Sequence, residues 1–74
     1  VLVFHNKSSN SIEISHTIST PLTVEVYNML GSKILGLKNV AQSQSIQARS
    51  LASGIYILKG KSNGKSFSKK FIIN

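Results

Sequence analysis

Gly54-Ile55-Tyr56-Ile57-Leu58-Lys59-Gly60-Lys61-Ser62-Asn63-Gly64-Lys65-Ser66-Phe67-Ser68-Lys69-Lys70-Phe71-Ile72-Ile73 is two strand-like runs hinged on an Asn-Gly dipeptide. Asn63 and Gly64 both tolerate the positive φ angles of a tight hairpin turn, so the stretch predicts a β-hairpin with arms Gly54 to Gly60 and Lys65 to Ile73. Just upstream, Leu51-Ala52-Ser53 hands a turn over to the first arm at Gly54, where a backbone geometry closed to other residues is expected. Tyr56 is large enough to bridge two layers, with its hydroxyl reaching a backbone partner at the rim. The second arm joins Lys69 and Lys70 to Phe71, Ile72 and Ile73, with Asn74 after it. Charge beside an apolar anchor suits a recognised strand. The plainer role is that Phe67, Phe71 and Ile73 fill the core while Lys69 and Lys70 solvate an edge.

Working back from the hairpin, the same two-residue alternation recurs. Ser11-Ile12-Glu13-Ile14-Ser15 turns Ile12 and Ile14 one way and Glu13 the other. After Pro21, Leu22, Val24 and Val26 point to the core, with Thr23, Glu25 and Tyr27 opposite and Asn28 closing the run. Met29-Leu30-Gly31-Ser32 is a turn with Gly31 at positive φ, and Lys33 to Lys38 returns as a strand. Leu2 to Phe4 and Ser45 to Arg49, the latter carrying Ile46 and Ala48, complete the set. No helical period competes. The expectation is an all-β chain, a small Ig-like β-sandwich of about seven antiparallel strands in two sheets.

Seventy-four residues make one domain, 1–74, near the lower size limit for a self-sufficient core. With no Cys, stability must come from packing and backbone pairing, and nine Ile, seven Leu and five Val suit pleated strands. The start at Val1 rather than Met predicts a fragment or processed product of a longer precursor. No run approaches the roughly 20 apolar residues of a membrane-spanning helix, and no secretory signal is visible in this stretch. Eight Lys and one Arg oppose only Glu13 and Glu25, which favours an anionic partner; dispersed Lys that keep edge strands unpaired are the plainer account.

Catalytic chemistry has little to draw on. Glu13 and Glu25 sit at solvent-facing positions and do not form an acid–base pair. A nucleophilic triad lacks Cys and Asp. His5, expected at a strand end, and His16, expected in a loop, show no ligand spacing, so neither metal nor any other cofactor is expected. Nucleic acid is an unlikely partner, because Tyr27 and Tyr56 lie far apart and the three Phe read as core rather than stacking platforms.

Three segments in order resemble the C-terminal sorting domain of the type IX secretion system of Bacteroidetes (type A), over about Phe4 to Ile73. Phe4-His5-Asn6-Lys7, running to Ile12-Glu13-Ile14, sits where such domains carry a Tyr-Pro-Asn-Pro-like motif and a short strand. Val24-Glu25-Val26-Tyr27-Asn28-Met29-Leu30-Gly31-Ser32-Lys33 is similar to the family's mid-domain pattern, and Leu51 to Tyr56, Asn63-Gly64 and Lys69 to Ile73 to its closing block. Both prolines of the first motif are absent, replaced by His5 and Lys7; Asn28 stands where Asp is frequent, and Asn74 where a basic residue is common.

The resemblance implies a non-catalytic secretion signal that directs an upstream cargo domain across the outer membrane. Its implied partners are the translocon, shuttle proteins and a surface sortase of cysteine-peptidase type that usually removes the domain. The implied route runs through the periplasm to the cell surface or medium. Candidate recognition residues are Lys69, Lys70, Phe71, Ile72, Ile73, Asn28, Gly31 and Lys33; Gly54, Tyr56, Asn63, Gly64, Val24, Val26 and Tyr27 are the structural motif. Two other functions fit a small β-sandwich. A carbohydrate-binding or adhesive module would need an exposed aromatic platform, for which Tyr27 is the candidate, and an Ig-like spacer would work anywhere in a precursor, whereas a sorting signal would have to be C-terminal.

Overall fold

The computed structural model describes residues 1–48 and 51–74. Its elements are β1 (Leu2–Asn6), β2 (Ser11–Ser15), β3 (Thr23–Asn28), β4 (Lys33–Leu37), β5 (Ser43–Gln47), β6 (Gly54–Ser62) and β7 (Lys65–Ile73). They form a three-stranded sheet in the order β1-β2-β5 and a four-stranded sheet in the order β4-β3-β6-β7, with every pairing antiparallel. The fold is the all-β, seven-strand, two-sheet sandwich that the alternation predicts. No helix occurs among the described residues.

The hairpin forms as its turn chemistry dictates. Asn63 (φ 51°) and Gly64 (φ 78°) both occupy the left-handed region, and the arms pair from Ser62↔Lys65 to Gly54↔Ile73. β6 therefore runs two residues beyond the expected Gly60. β1 also runs further than expected, to Asn6, because His5 and Asn6 pair with Ile12 and Ser11.

β5 is displaced from the expected Ser45–Arg49. Its backbone pairs from Ser15↔Ser43 to Ser11↔Gln47, so ladder bonds start it two residues early even though Gln44 takes an inward position. Its C-terminal end is set by the Ala48 N–H, which donates to the Asn10 carbonyl at 3.0 Å and leaves Ala48 buried. Arg49, placed by sequence at the end of this strand, lies outside the described residues.

Ile12 and Ile14 from one sheet meet Leu22, Val24, Val26, Tyr56, Leu58, Phe71 and Ile73 from the other side, with Val40 and Ala48 closing the ends. Burying an aliphatic side chain fully stabilises by about 1.5–3 kcal/mol, so this cluster is the main support of a chain without disulfides. Phe4 corrects the expectation that all three Phe are core. It pairs with Glu13 on the solvent face of the three-stranded sheet and stays exposed, while Phe71 is buried and Phe67 half-buried. β1 and β7 run beside each other at one border, where the Asn74 N–H donates to His5 Nδ1 at 3.3 Å.

Candidate functional site

Strand order arranges the outer face of the four-stranded sheet as a map. Cross-strand partners share a face, so the hairpin end shows Thr23, Lys61 and Ser66 in one rank and Glu25, Lys59 and Ser68 in the next. The third rank is Lys33, Tyr27, Ile57 and Lys70, and the last is Ile55 with Ile72. Hydroxyls and amines thus collect at one end of the face and apolar groups at the other. The hairpin end is also a shallow concavity, lined by Pro21, Thr23, Lys59, Lys61, Ser66 and Ser68 among others.

Glu25 organises the centre of this face. Lys33 Nζ lies 2.9 Å from its carboxylate, and the Tyr27 hydroxyl donates to it at 2.8 Å. The hydrogen bond from Lys33, then that from Tyr27, hold the Glu25 carboxyl below its ordinary range. The same bonds raise Lys33 and the Tyr27 phenol above theirs. Lys59 Nζ sits 4.8 Å from the Tyr27 ring centroid, over the ring. The aromatic platform that a carbohydrate-binding module needs is therefore covered at Tyr27.

The β3–β4 turn is closed by its own hydrogen bonds. Asn28 Oδ1 accepts from the Leu30 and Ser32 N–H groups, both at 3.0 Å, and the Asn28 N–H donates to the Ser32 carbonyl. The Gly31 N–H donates to the Asn28 carbonyl, with Gly31 at φ 86°. Asn28 faces inward opposite Tyr56, and a register irregularity after Val26 brings Lys33 level with Tyr27. Tyr56 is buried; its ring stacks on Phe71 at 6.0 Å between centroids, and its hydroxyl donates to the Ala52 carbonyl at 2.7 Å. Immunoglobulin-type sandwiches tie a corner in the same way.

The sequence-predicted recognition residues do not form one patch. Lys69 pairs with Leu58 and so lies on the inner face, whereas Lys70 pairs with Ile57 on the outer face. Both heads reach solvent, and an inward-pointing charge on an edge strand such as β7 guards it against pairing with another chain. Phe71 and Ile73 are buried, which leaves Lys70 and Ile72 as the outer-face members of that run. Asn28, Gly31 and Lys33 gather at the β3–β4 turn. Val24 and Val26 are core, and Tyr27 stands on the outer face. Sequence reasoning passed over Met29 and Leu30, although an apolar pair inside a turn was a visible signal. It also passed over Ile55, whose exposure depends on which strands flank β6.

Glu13 and Glu25 stand on the outer faces of different sheets and share no cleft. Glu13 accepts from Ser11 and, at 2.6 Å, from Ser45. His16 is buried beside β2, accepting from the Ile18 N–H at Nδ1 and donating from Nε2 to the Val40 carbonyl at 3.0 Å. His5 Nε2 lies 2.9 Å from Asn10 Oδ1. Among the described residues no three His, Cys, Asp or Glu gather into a metal-binding group, and no helix is long and apolar enough to cross a membrane.

A family model described as "Secretion system C-terminal sorting domain" matches residues 2–74. No curated protein matches the chain.

Proposed function

We propose a function from one premise: the chain belongs to the secretion-system C-terminal sorting domain family, that of the type IX system. Such a domain is a sorting signal that engages the secretion system, and its cargo goes to the cell surface or the extracellular space. In the finer reading the domain acts folded and without catalysis. Shuttle proteins and the outer-membrane translocon bind it during periplasmic transit, at the end of the four-stranded sheet where β7 and the β3–β4 turn meet solvent. The residues assigned to this contact are Lys70 and Ile72 of β7 with Asn28, Gly31 and Lys33 of the turn, while Phe71 and Ile73 anchor β7 in the core and Lys69 stands on the other face. A surface sortase of cysteine-peptidase type then separates domain and cargo.

The observation that carries this reading is the family match along residues 2–74. Ile72 at the apolar end of the face, with Lys70 in the next rank, supports the choice of surface. The test fuses residues 1–74 behind a reporter with its own secretory signal, in a host with type IX machinery. The parent reporter is expected at the surface or in the medium. Lys69→Ala/Lys70→Ala should retain reporter in the periplasm while the domain stays folded, since losing exposed charges changes stability by only tenths of a kcal/mol. The single variants divide the roles: Lys70→Ala should reproduce the defect and Lys69→Ala should not, because they occupy opposite faces. Retention of the parent itself would exclude the sorting function. Normal export of the folded double variant would move the contact to the β3–β4 turn.

A further inference from the structure

The most exposed large apolar side chains of the four-stranded sheet collect at one end of it. Leu30 is 91% exposed, Met29 58%, Ile72 56% and Ile55 40%. Ile55 and Ile72 are direct cross-strand partners on the outer face. Met29 follows Asn28, the residue paired with Tyr56, so extending the register by one residue brings it level with Ile55. Single exposed apolar residues need no explanation, but several at one end of a sheet do. On the strands, the far end of the same face carries hydroxyls, lysines and Glu25 in its first two ranks, so the large exposed apolar side chains of the face lie toward the other end.

Leu30 is also held in place. Four hydrogen bonds close the turn beneath it, two of them to Asn28 Oδ1. A side chain displayed on an ordered turn loses little conformational freedom on binding, which is the property of an interface anchor. The outer face as a whole bears Lys33, Lys59, Lys61 and Lys70 against the single carboxylate of Glu25, already paired with Lys33, and Lys70 stands in the rank next to Ile55 and Ile72. The field it offers a partner is positive.

We propose that Leu30, Ile55 and Ile72, flanked by Lys70, form a docking surface for a protein whose contact face sets an apolar pocket among carboxylates. The charge fixes the sign of the partner. The shape selects protein over lipid: the apolar groups and amines spread across a flat sheet face, and Lys59 and Lys33 are engaged with Tyr27 and Glu25 rather than ringing an insertable tip. This rests on the sorting function and names the chemistry of the component that reads the domain.

The experiment uses the same reporter fusion in cells with type IX machinery. Leu30→Ser/Ile72→Ser and Lys70→Glu alter the terrace at exposed positions. Leu2→Ser/Phe4→Ser removes exposed apolar groups from the other sheet as a control. Terrace variants are expected to lose export about tenfold, as anchor side chains do, with unchanged melting temperatures, and the control is expected to export like the parent. A photoreactive residue at position 30 should crosslink to an envelope protein, with yield lowered by Lys70→Glu, and one at position 4 should not. Terrace variants exported like the parent would overturn the docking surface and leave the sorting function standing. A retained parent would remove both. Sedimentation of the purified domain with phosphatidylglycerol vesicles, abolished by Leu30→Ser, would overturn the protein partner in favour of a membrane.

Discussion

At Gly54 the backbone runs at φ 153°, and an added Cβ would meet no atom within 4 Å. Torsion alone therefore opposes substitution. Gly54→Val should cost about 1–3 kcal/mol, a large share of what a chain of this size can hold. A parent-like melting curve would show that the conformation is not required. Gly60 is the opposite case, limited by space. A Cβ there would lie 2.2 Å from Phe67 Cζ, because Phe67 rests on its cross-strand glycine. Gly60→Ala should destabilise by about 1–3 kcal/mol through overpacking. In a Phe67→Ala background the same substitution should be nearly neutral. Equal costs in both backgrounds, measured by denaturant unfolding, would deny the contact.

The strands were largely legible because the pleat has a period of two and the chain obeys it. Ile12 and Ile14, Leu22, Val24 and Val26, and Tyr56 and Leu58 all face the core as their alternation requires. β5 was misplaced because ladder bonds do not need apolar side chains, and Gln44 at an inward position hid the strand's start. The same period assigns Lys69 and Lys70 to opposite faces; treating them as a charge pair ignored it. The terrace was not legible, since its members come from β6, β7 and a turn that only long-range pairing brings together. That turn makes its own prediction. Asn28→Ala removes the acceptor shared by Leu30 and Ser32 N–H, at a cost of about 1 kcal/mol for exposed hydrogen bonds. Amide exchange at both should accelerate, and Asn28→Asp, which keeps the acceptor, should restore protection. Unchanged exchange in Asn28→Ala would show that the backbone bonds alone hold the turn.

For the whole molecule, two carboxylates carry a disproportionate role in a chain of net charge +7. Glu13 ties β2 to β5 through Ser45 on one sheet, and Glu25 ties β3 to β4 through Lys33 on the other. Hydroxyls of Ser11 and Ser45 hold Glu13 below the usual carboxylate range, and Lys33 and Tyr27 do so for Glu25. A carboxyl lowered in the folded state adds stability above its unfolded value, here 4.5, and that stability is lost as pH falls through the lowered folded value. Protonation also removes the only negative side chains, so the lysines repel one another with less to offset them. The melting temperature should hold from neutral pH down to about 5 and then fall. Glu13→Gln/Glu25→Gln should melt lower at neutral pH and lose less below 4.5. Because part of the acid loss is repulsion among exposed amines, about 0.5 M salt should recover some of it by screening. An acid limb equally steep in the double variant would assign the sensitivity to other groups, and a melting temperature indifferent to salt at pH 3 would mean that the lysines are too dispersed to strain the fold.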